Sequence, residues 1–242
     1  MADARREIVN ALDSHVRSSK RRDFLKLAAM GGMGVFLPTV ITACSSDPLS
    51  PTAKATFNFG TDRGALNLAY GYAQFMADFY ARVTSNVFVG MTTNENSMLS
   101  TISGHKGTQR NTLQNLITSG RITDALLFNF TSVDFSSRSE VMGFAQTFED
   151  LGVAALNGAA STVTDATNLT LLGKVASVWG RHAAVVRDLN AQAAIAAGTS
   201  GADRKLFAAS ADANGLDPAT AISSVLPTVQ PYFRTTLSSS GA

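Results

Sequence analysis

Apolar residues at helical spacing between residues 166 and 196 constrain this chain more than any other feature. Leu172, Val175, Trp179, His182, Val186 and Leu189 recur at intervals of three and four. That spacing sets them on one face of a single long helix. A helix of this length must bury its stripe against partners of comparable length, so a helical bundle is the natural solution. Trp179 and His182, at i and i+3, both point at whatever core the helix packs on.

Three further segments share the period. A first helix follows Asp62, a residue suited to cap it, with Leu66, Ala69, Ala73, Met76, Tyr80 and Val83 in one stripe. Gly71 and the aromatic residues Tyr70, Tyr72, Phe75 and Phe79 broaden that stripe, which predicts burial on more than one side. A second helix spans about 96–119, presents Met98, Ile102, His105, Gln109, Leu113 and Leu116 on one face, and stops at Gly120. A connection of irregular composition, residues 121–135, carries Phe128, Phe130 and Phe135 and is long enough to travel the length of a bundle. A third helix, about 137–160, buries Val141, Phe144, Phe148, Leu151 and Ala155, and its small residues from Gly152 to Ala160 allow a close partner. Residues 198–215 read as a loop with room for a short helix. Asp217-Pro218 then opens a short C-terminal helix that Pro227 and Pro231 stop. No segment of useful length shows strand period, and the class is all-α.

The N-terminus reads as an address. Arg21-Arg22-Asp23-Phe24-Leu25-Lys26 resembles the twin-arginine export signal, with Arg21, Arg22, Phe24 and Leu25 as its core. A glycine-rich apolar run, residues 27–41, is too short for a comfortable membrane span. Ile41-Thr42-Ala43-Cys44 resembles a bacterial lipobox, in which Cys44 is acylated and becomes the mature N-terminus. The plain alternative is a degenerate membrane anchor with a chance cysteine. The expected organisation is a signal over 1–44, a flexible tether over 45–61, a four-helix bundle over 62–235 and a disordered tail over 236–242. The expected location is the periplasmic side of a membrane, held there by lipidated Cys44. Ser45 after the cysteine resembles lipoproteins that move on to the outer membrane of a two-membraned cell. The twin-arginine route carries folded proteins, so folding is expected to precede export.

Charge divides at the same cysteine. Seven of the 20 Lys and Arg and four of the 18 Asp and Glu lie in residues 1–44, leaving 13 basic and 14 acidic residues beyond. With no basic run after Lys26, nucleic-acid binding has no electrostatic footprint. Cys44 is the sole cysteine, so its acylation leaves no thiol, disulfide or Cys-ligated metal in the mature chain. No phosphate loop, zinc spacing or nucleophile elbow appears.

Phe148-Glu149-Asp150-Leu151-Gly152-Val153-Ala154-Ala155 and Trp179-Gly180-Arg181-His182-Ala183-Ala184-Val185-Val186-Arg187 resemble the third and fourth helices of the ferritin-like domain family of exported bacterial proteins and plant desiccation-related proteins. Those helices read roughly F-E-D-x-G-x-A-A and E-x-R-H-A-A-x-x-R. Leu66-Asn67 leading to Phe79-Tyr80, and Leu216-Asp217-Pro218 through Pro227, are similar to the family's other motifs. The resemblance implies a four-helix bundle with a long crossover between helices two and three. It also implies a two-metal centre of inward carboxylates and histidines.

Most positions that the resemblance marks for ligands hold something else. Ala73 and Met76 stand where the first helix carries acids, and Lys106 and Gln109 stand where the second carries E-x-x-H. Trp179 replaces the acid of the fourth, and only Glu149 and His182 agree with the pattern. Two cations need several hard oxygen donors, and an indole at 179 fills volume like a packing residue. His182 is either a ligand or a core histidine bonded to a carbonyl or to Gln109 or Tyr80, and His105 has the same two readings. A mononuclear site from His105, Glu149 and His182 is a conceivable iron set. Glu149 and Asp150 can also be ordinary polar residues at a helix rim.

The expectation is therefore a lipid-anchored exported bundle without a working two-metal centre, with no cofactor and no catalytic residue, serving as a structural or binding module. The rival is a metal-binding oxidoreductase or iron-binding protein with a reduced site, using iron or manganese. The sequence names no protein partner or small ligand and leaves the oligomeric state open.

Overall fold

The computed structural model describes residues 54–196 and 216–240. The chain divides into two units, Met1–Pro48 and Leu49–Ala242, and all described residues belong to the second. Arg21, Arg22, Phe24, Leu25 and Cys44 lie outside the described residues, as does the loop expected over 198–215.

Four long helices make the body: α1 (Asp62–Ser85), α2 (Thr93–Leu116), α3 (Arg138–Ala160) and α4 (Ala166–Ala196). A short helix, α5 (Ile222–Val229), follows. Two strands, β1 (Lys54–Asn58) and β2 (Thr236–Ser240), pair in parallel with Lys54 opposite Thr236 and Asn58 opposite Ser240. No helix among the described residues is long and apolar enough to cross a membrane.

Local chemistry sets each helix start. Thr61, not Asp62, caps α1, its side chain accepting from Gly64 N. Asp62 is free to reach across the fold: its carboxylate accepts from the backbone N–H of Thr164 and of Asp165, each at 2.9 Å, and from the Asn168 amide. It thereby ties the start of α1 to the start of α4. A full capping box opens α2, with Thr92 and Glu95 bonding each other's backbone. Ser137 caps α3. Gly120, past the end of α2, has φ +62°, the left-handed geometry that glycine adopts without a Cβ clash.

The expected core stripes of α1 and α4 are buried throughout, including Trp179 and the aromatic flanks of α1. In α3, Val141, Phe144, Phe148 and Ala155 are buried, while Leu151 is only partly so. The connection over residues 117–137 is long because it delivers aromatics to the bundle. Phe130 stacks on Phe75 with centroids 5.5 Å apart, and Phe128 meets Phe233 edge-on at 5.1 Å. Phe79, Phe144 and Phe148 continue the cluster at 4.5 and 4.2 Å. Ring pairs of this kind add to plain area burial.

Three expectations fail at the edges. The tether read over 45–61 ends at Lys54, because Ala55 and Phe57 turn inward and are buried while their neighbours face water. The tail read over 236–242 holds β2, a serine-rich segment with little strand propensity that forms by pairing with β1. The C-terminal helix starts at Ile222 rather than at Asp217-Pro218, and Pro227 lies inside it. The carbonyl that Pro227 cannot bond belongs to Ser223, an exposed residue that water can satisfy. Asp217 and Pro218 instead offer their carbonyls to Asn157 of α3.

Candidate functional site

The inward face of α2 is Leu99, Ile102, Lys106 and Leu113. This row lies about one residue round from the one expected from sequence, so Met98 and Leu116 are exposed and His105 sits at the edge of the bundle. Lys106 is thereby driven into the core, where its side chain is fully excluded from solvent. Glu149 enters from α3 and is also fully buried, not at a rim. Lys106 Nζ donates to Glu149 Oε2 at 2.7 Å.

Trp179 completes the enclosure. Its ring centroid lies 4.4 Å from Lys106 Nζ, a cation–π contact, and its indole N–H donates to Gln109 Oε1 at 2.7 Å. Tyr72 packs on the same indole, centroids 5.3 Å apart, and its hydroxyl donates to the Phe148 carbonyl. Gly152 of α3 permits this closeness, since a Cβ there would stand 2.7 Å from Tyr72 Cε1 and 3.1 Å from Trp179 Cε3. Ala73 and Met76 line the core from α1, both fully buried. Next to Glu149, Asp150 turns the other way and forms an ion pair with Arg187 of α4.

Burial pushes the Glu149 carboxyl up and the Lys106 ammonium down, while the charge of each pulls the other back. The pair has no net charge whether its shared proton rests on nitrogen or oxygen. Tyr80 faces the same carboxylate, and burial followed by the Glu149 charge raises its hydroxyl well above the usual tyrosine range. Among the described residues, Tyr80 Oη, Glu149 Oε1 and His182 Nδ1 are buried without a hydrogen-bond partner. Tyr80 and Glu149 each act on the other's titration, although no hydrogen bond of ordinary geometry joins them.

His182 is buried, 5% exposed, and neither Gln109 nor Tyr80 takes it. Gln109 is engaged by Trp179, and the Tyr80 hydroxyl has no partner. His182 Nε2 instead lies 3.0 Å from His105 Nδ1, with the two rings nearly parallel at 11°. Burial first, then the charges of Lys106, His105 and Arg181, push the His182 imidazole down to about 2. It is therefore neutral at physiological pH.

The structure thus brings Lys106, Gln109, Glu149, Trp179, His105 and His182 together across three helices. A family model described as "Ferritin-like domain" matches residues 61–192, which take in all four long helices but for the last turn of α4. The chain belongs to the ferritin-like domain family. No curated protein matches it.

The ferritin-like fold implies a carboxylate-bridged two-metal centre at this level of a bundle. The residues present do not fit one. Glu149 Oε2 is held by an ammonium, which competes with any metal ion for that oxygen. The remaining donors are imidazoles and an amide, too few anionic oxygens for two hard cations. Among the described residues, no group of three His, Cys, Asp or Glu is placed to hold a metal ion.

Lys106 as a core residue escaped the sequence reading, although the seven-residue steps Leu99, Lys106 and Leu113 carried the signal. Arg181, on the exposed side of α4 beside the two histidines, offered no such signal.

Proposed function

We propose that this chain is a lipid-anchored, exported ferritin-like protein in which an internal lysine–glutamate pair takes the place of a two-metal centre. It serves as a structural or binding module at the cell envelope. The fully buried Lys106–Glu149 pair carries this reading. A buried ammonium repels any second cation, and it satisfies the one carboxylate that the family pattern retains. Trp179 and Tyr72 fill the volume that carboxylates and ions would need.

The export signal rests on Arg21, Arg22, Phe24 and Leu25, and the anchor on Cys44. Residues 45–53 separate that cysteine from β1, and a chain of that length spans at most about 30 Å. The domain would then ride close to the membrane surface on the periplasmic side. Bacterial lipoproteins carry several acyl chains, enough for stable attachment. In a cell with two membranes, Ser45 favours the outer one.

The rival, an iron- or manganese-dependent oxidoreductase with a reduced site, draws on the adjacency of His105 and His182, which supplies two nitrogen donors. It needs Glu149 to leave Lys106. The test is iron and manganese content after aerobic incubation with each metal, together with Fe(II) oxidation. Substoichiometric metal and oxidation no faster than a Glu149→Gln control support the proposal. Stoichiometric metal, or turnover above that control, overturns it. Loss of detergent-phase partitioning in a Cys44→Ala variant tests the anchor separately.

A further inference from the structure

The bundle opens between α2 and α4. A cleft of about 570 Å³ lies there, within the range of small-molecule sites. Its walls are largely apolar, with Met98 and Ile102 from α2 and Val178 and Val185 from α4. His105, His182 and Arg181 line it together with hydroxyl and amide groups, and no carboxylate does.

We infer that this cleft binds a small monocarboxylate with an apolar body, its carboxylate at Arg181 and His105 and its hydrocarbon between α2 and α4. The inference deepens the binding-module reading and rests on it. Charge complementarity selects the head group. Arg181 uses one guanidinium nitrogen on Ser177 Oγ at 2.9 Å and has no ion-pair partner among the described residues. The other nitrogens are left for a planar, two-oxygen acceptor, the geometry that guanidinium matches best.

The histidine pair supplies the second donor. The N···N distance of 3.0 Å requires one hydrogen between His182 Nε2 and His105 Nδ1. His182 Nδ1 is buried without a partner. A buried N–H is costlier to leave unpaired than a buried acceptor, so the His182 hydrogen sits on Nε2 and is donated to His105. His105 accepts at Nδ1, and as a neutral ring it must then carry its own hydrogen on Nε2. Nε2 has no protein partner among the described residues and can donate to an anion in the cleft. His182 thus fixes which face of His105 is a donor.

Titration calorimetry of the full chain with sodium decanoate, with 1-decanol as the neutral control, tests the inference. The expected result is saturable binding of one decanoate per chain at concentrations up to about 1 mM, with decanol binding more weakly. Arg181→Gln should weaken decanoate about tenfold, the scale of a lost charge-assisted hydrogen bond, and leave decanol unchanged. Thr101→Trp, at an exposed position on the cleft wall, should abolish binding of both. Both sites are exposed, and circular dichroism checks that each variant remains folded. Decanol binding as tightly as decanoate overturns the inference, and so does decanoate binding that Thr101→Trp leaves unchanged, because the ligand then sits elsewhere on the chain. Absence of decanoate binding in a sample free of bound metal overturns the cleft inference alone. Stoichiometric metal in the same sample overturns the underlying reading instead.

Discussion

Lys106 Nζ and Glu149 Oε2 lie 2.7 Å apart, and solvent reaches neither side chain. Helices α2 and α3 are thereby joined by charge at the level where a ferritin-like bundle would hold metal. Such a pair is costly to bury and costlier to split, because the surviving charge loses its partner but stays desolvated. The arrangement links a sequence choice, lysine on an apolar row, to both the packing and the chemistry of the site.

Splitting the pair is the most direct check. Lys106→Met should lower the unfolding free energy by about 3 kcal/mol at pH 7. Lys106→Met with Glu149→Leu should recover most of that loss, giving a large coupling in a double-mutant cycle by urea unfolding. The deficit of the single variant depends on pH in a known direction. Burial raises the Glu149 carboxyl in the fold, so no deficit from charge exists below its unfolded value near 4.5, and the deficit grows as pH rises through the raised folded value. Additive losses in the double variant would show that the two groups are not coupled.

His182 sets the behaviour at mildly acid pH. Its folded value is depressed from 6.5 to about 2, chiefly by burial. The unfolded imidazole gains a proton below 6.5 while the folded one does not. Stability from this group is therefore complete above 6.5 and is lost as pH falls toward the folded value, at up to about 1.4 kcal/mol per pH unit. Urea unfolding between pH 7.5 and 5 should show this slope, and His182→Gln should reduce it by one proton. An unchanged slope in the variant sinks the assignment.

Asp62 acts at lower pH. Hydrogen bonds from the Thr164 backbone, Asn168 and the Asp165 backbone hold its carboxyl well below the usual carboxylate range. Its contribution is present above the unfolded value of 3.8 and fades as pH falls through the lower folded value. Asp62→Asn should therefore be less stable than the parent at pH 6 and converge on it in strong acid. A gap that is constant with pH would assign the effect to packing instead.

Gly152 tests the packing against the indole. Gly152→Ala places a methyl 2.7 Å from Tyr72 Cε1 and should cost about 1–3 kcal/mol, although alanine is the better helix former. Thermal unfolding reads the sign, and a stabilised variant would show that the contact of α3 with Tyr72 and Trp179 is slack.

The stripes of α1 and α4 were legible because hydrophobic periodicity extends over many turns there. On α2 the pattern was sparse, with Gly104, Gly107 and several threonines and asparagines, so the face could be rotated by one residue without violating the period. That rotation exchanged His105 for Lys106 and concealed the ion pair. The strands were hidden for a different reason. Residues 236–240 are Thr-Leu-Ser-Ser-Ser, and only pairing with a segment 182 positions away makes them β-structure. The bond between His105 and His182 joins residues 77 apart on two helices, and no local spacing encodes it.

Trp179 offers the sharpest test of the proposal that a lysine–glutamate pair takes the place of the metal centre. The fourth-helix pattern E-x-x-H is one substitution away, so Trp179→Glu looks like a simple repair. Lys106 Nζ, however, lies 4.4 Å from the indole centroid, and a carboxylate in that space would meet an ammonium already present. The expected product is a lysine held by two glutamates, not a metal site, in a bundle weakened by about 3–5 kcal/mol through loss of the buried ring. Iron analysis after loading should therefore find no stoichiometric binding in Trp179→Glu. Adding Lys106→Glu and Gln109→His removes the resident cation and supplies a second carboxylate–histidine pair beside Glu149 and His182, and this triple variant should acquire divalent metal. Stoichiometric iron in Trp179→Glu alone would show that Lys106 is not the obstacle, and that the indole by itself keeps metal out.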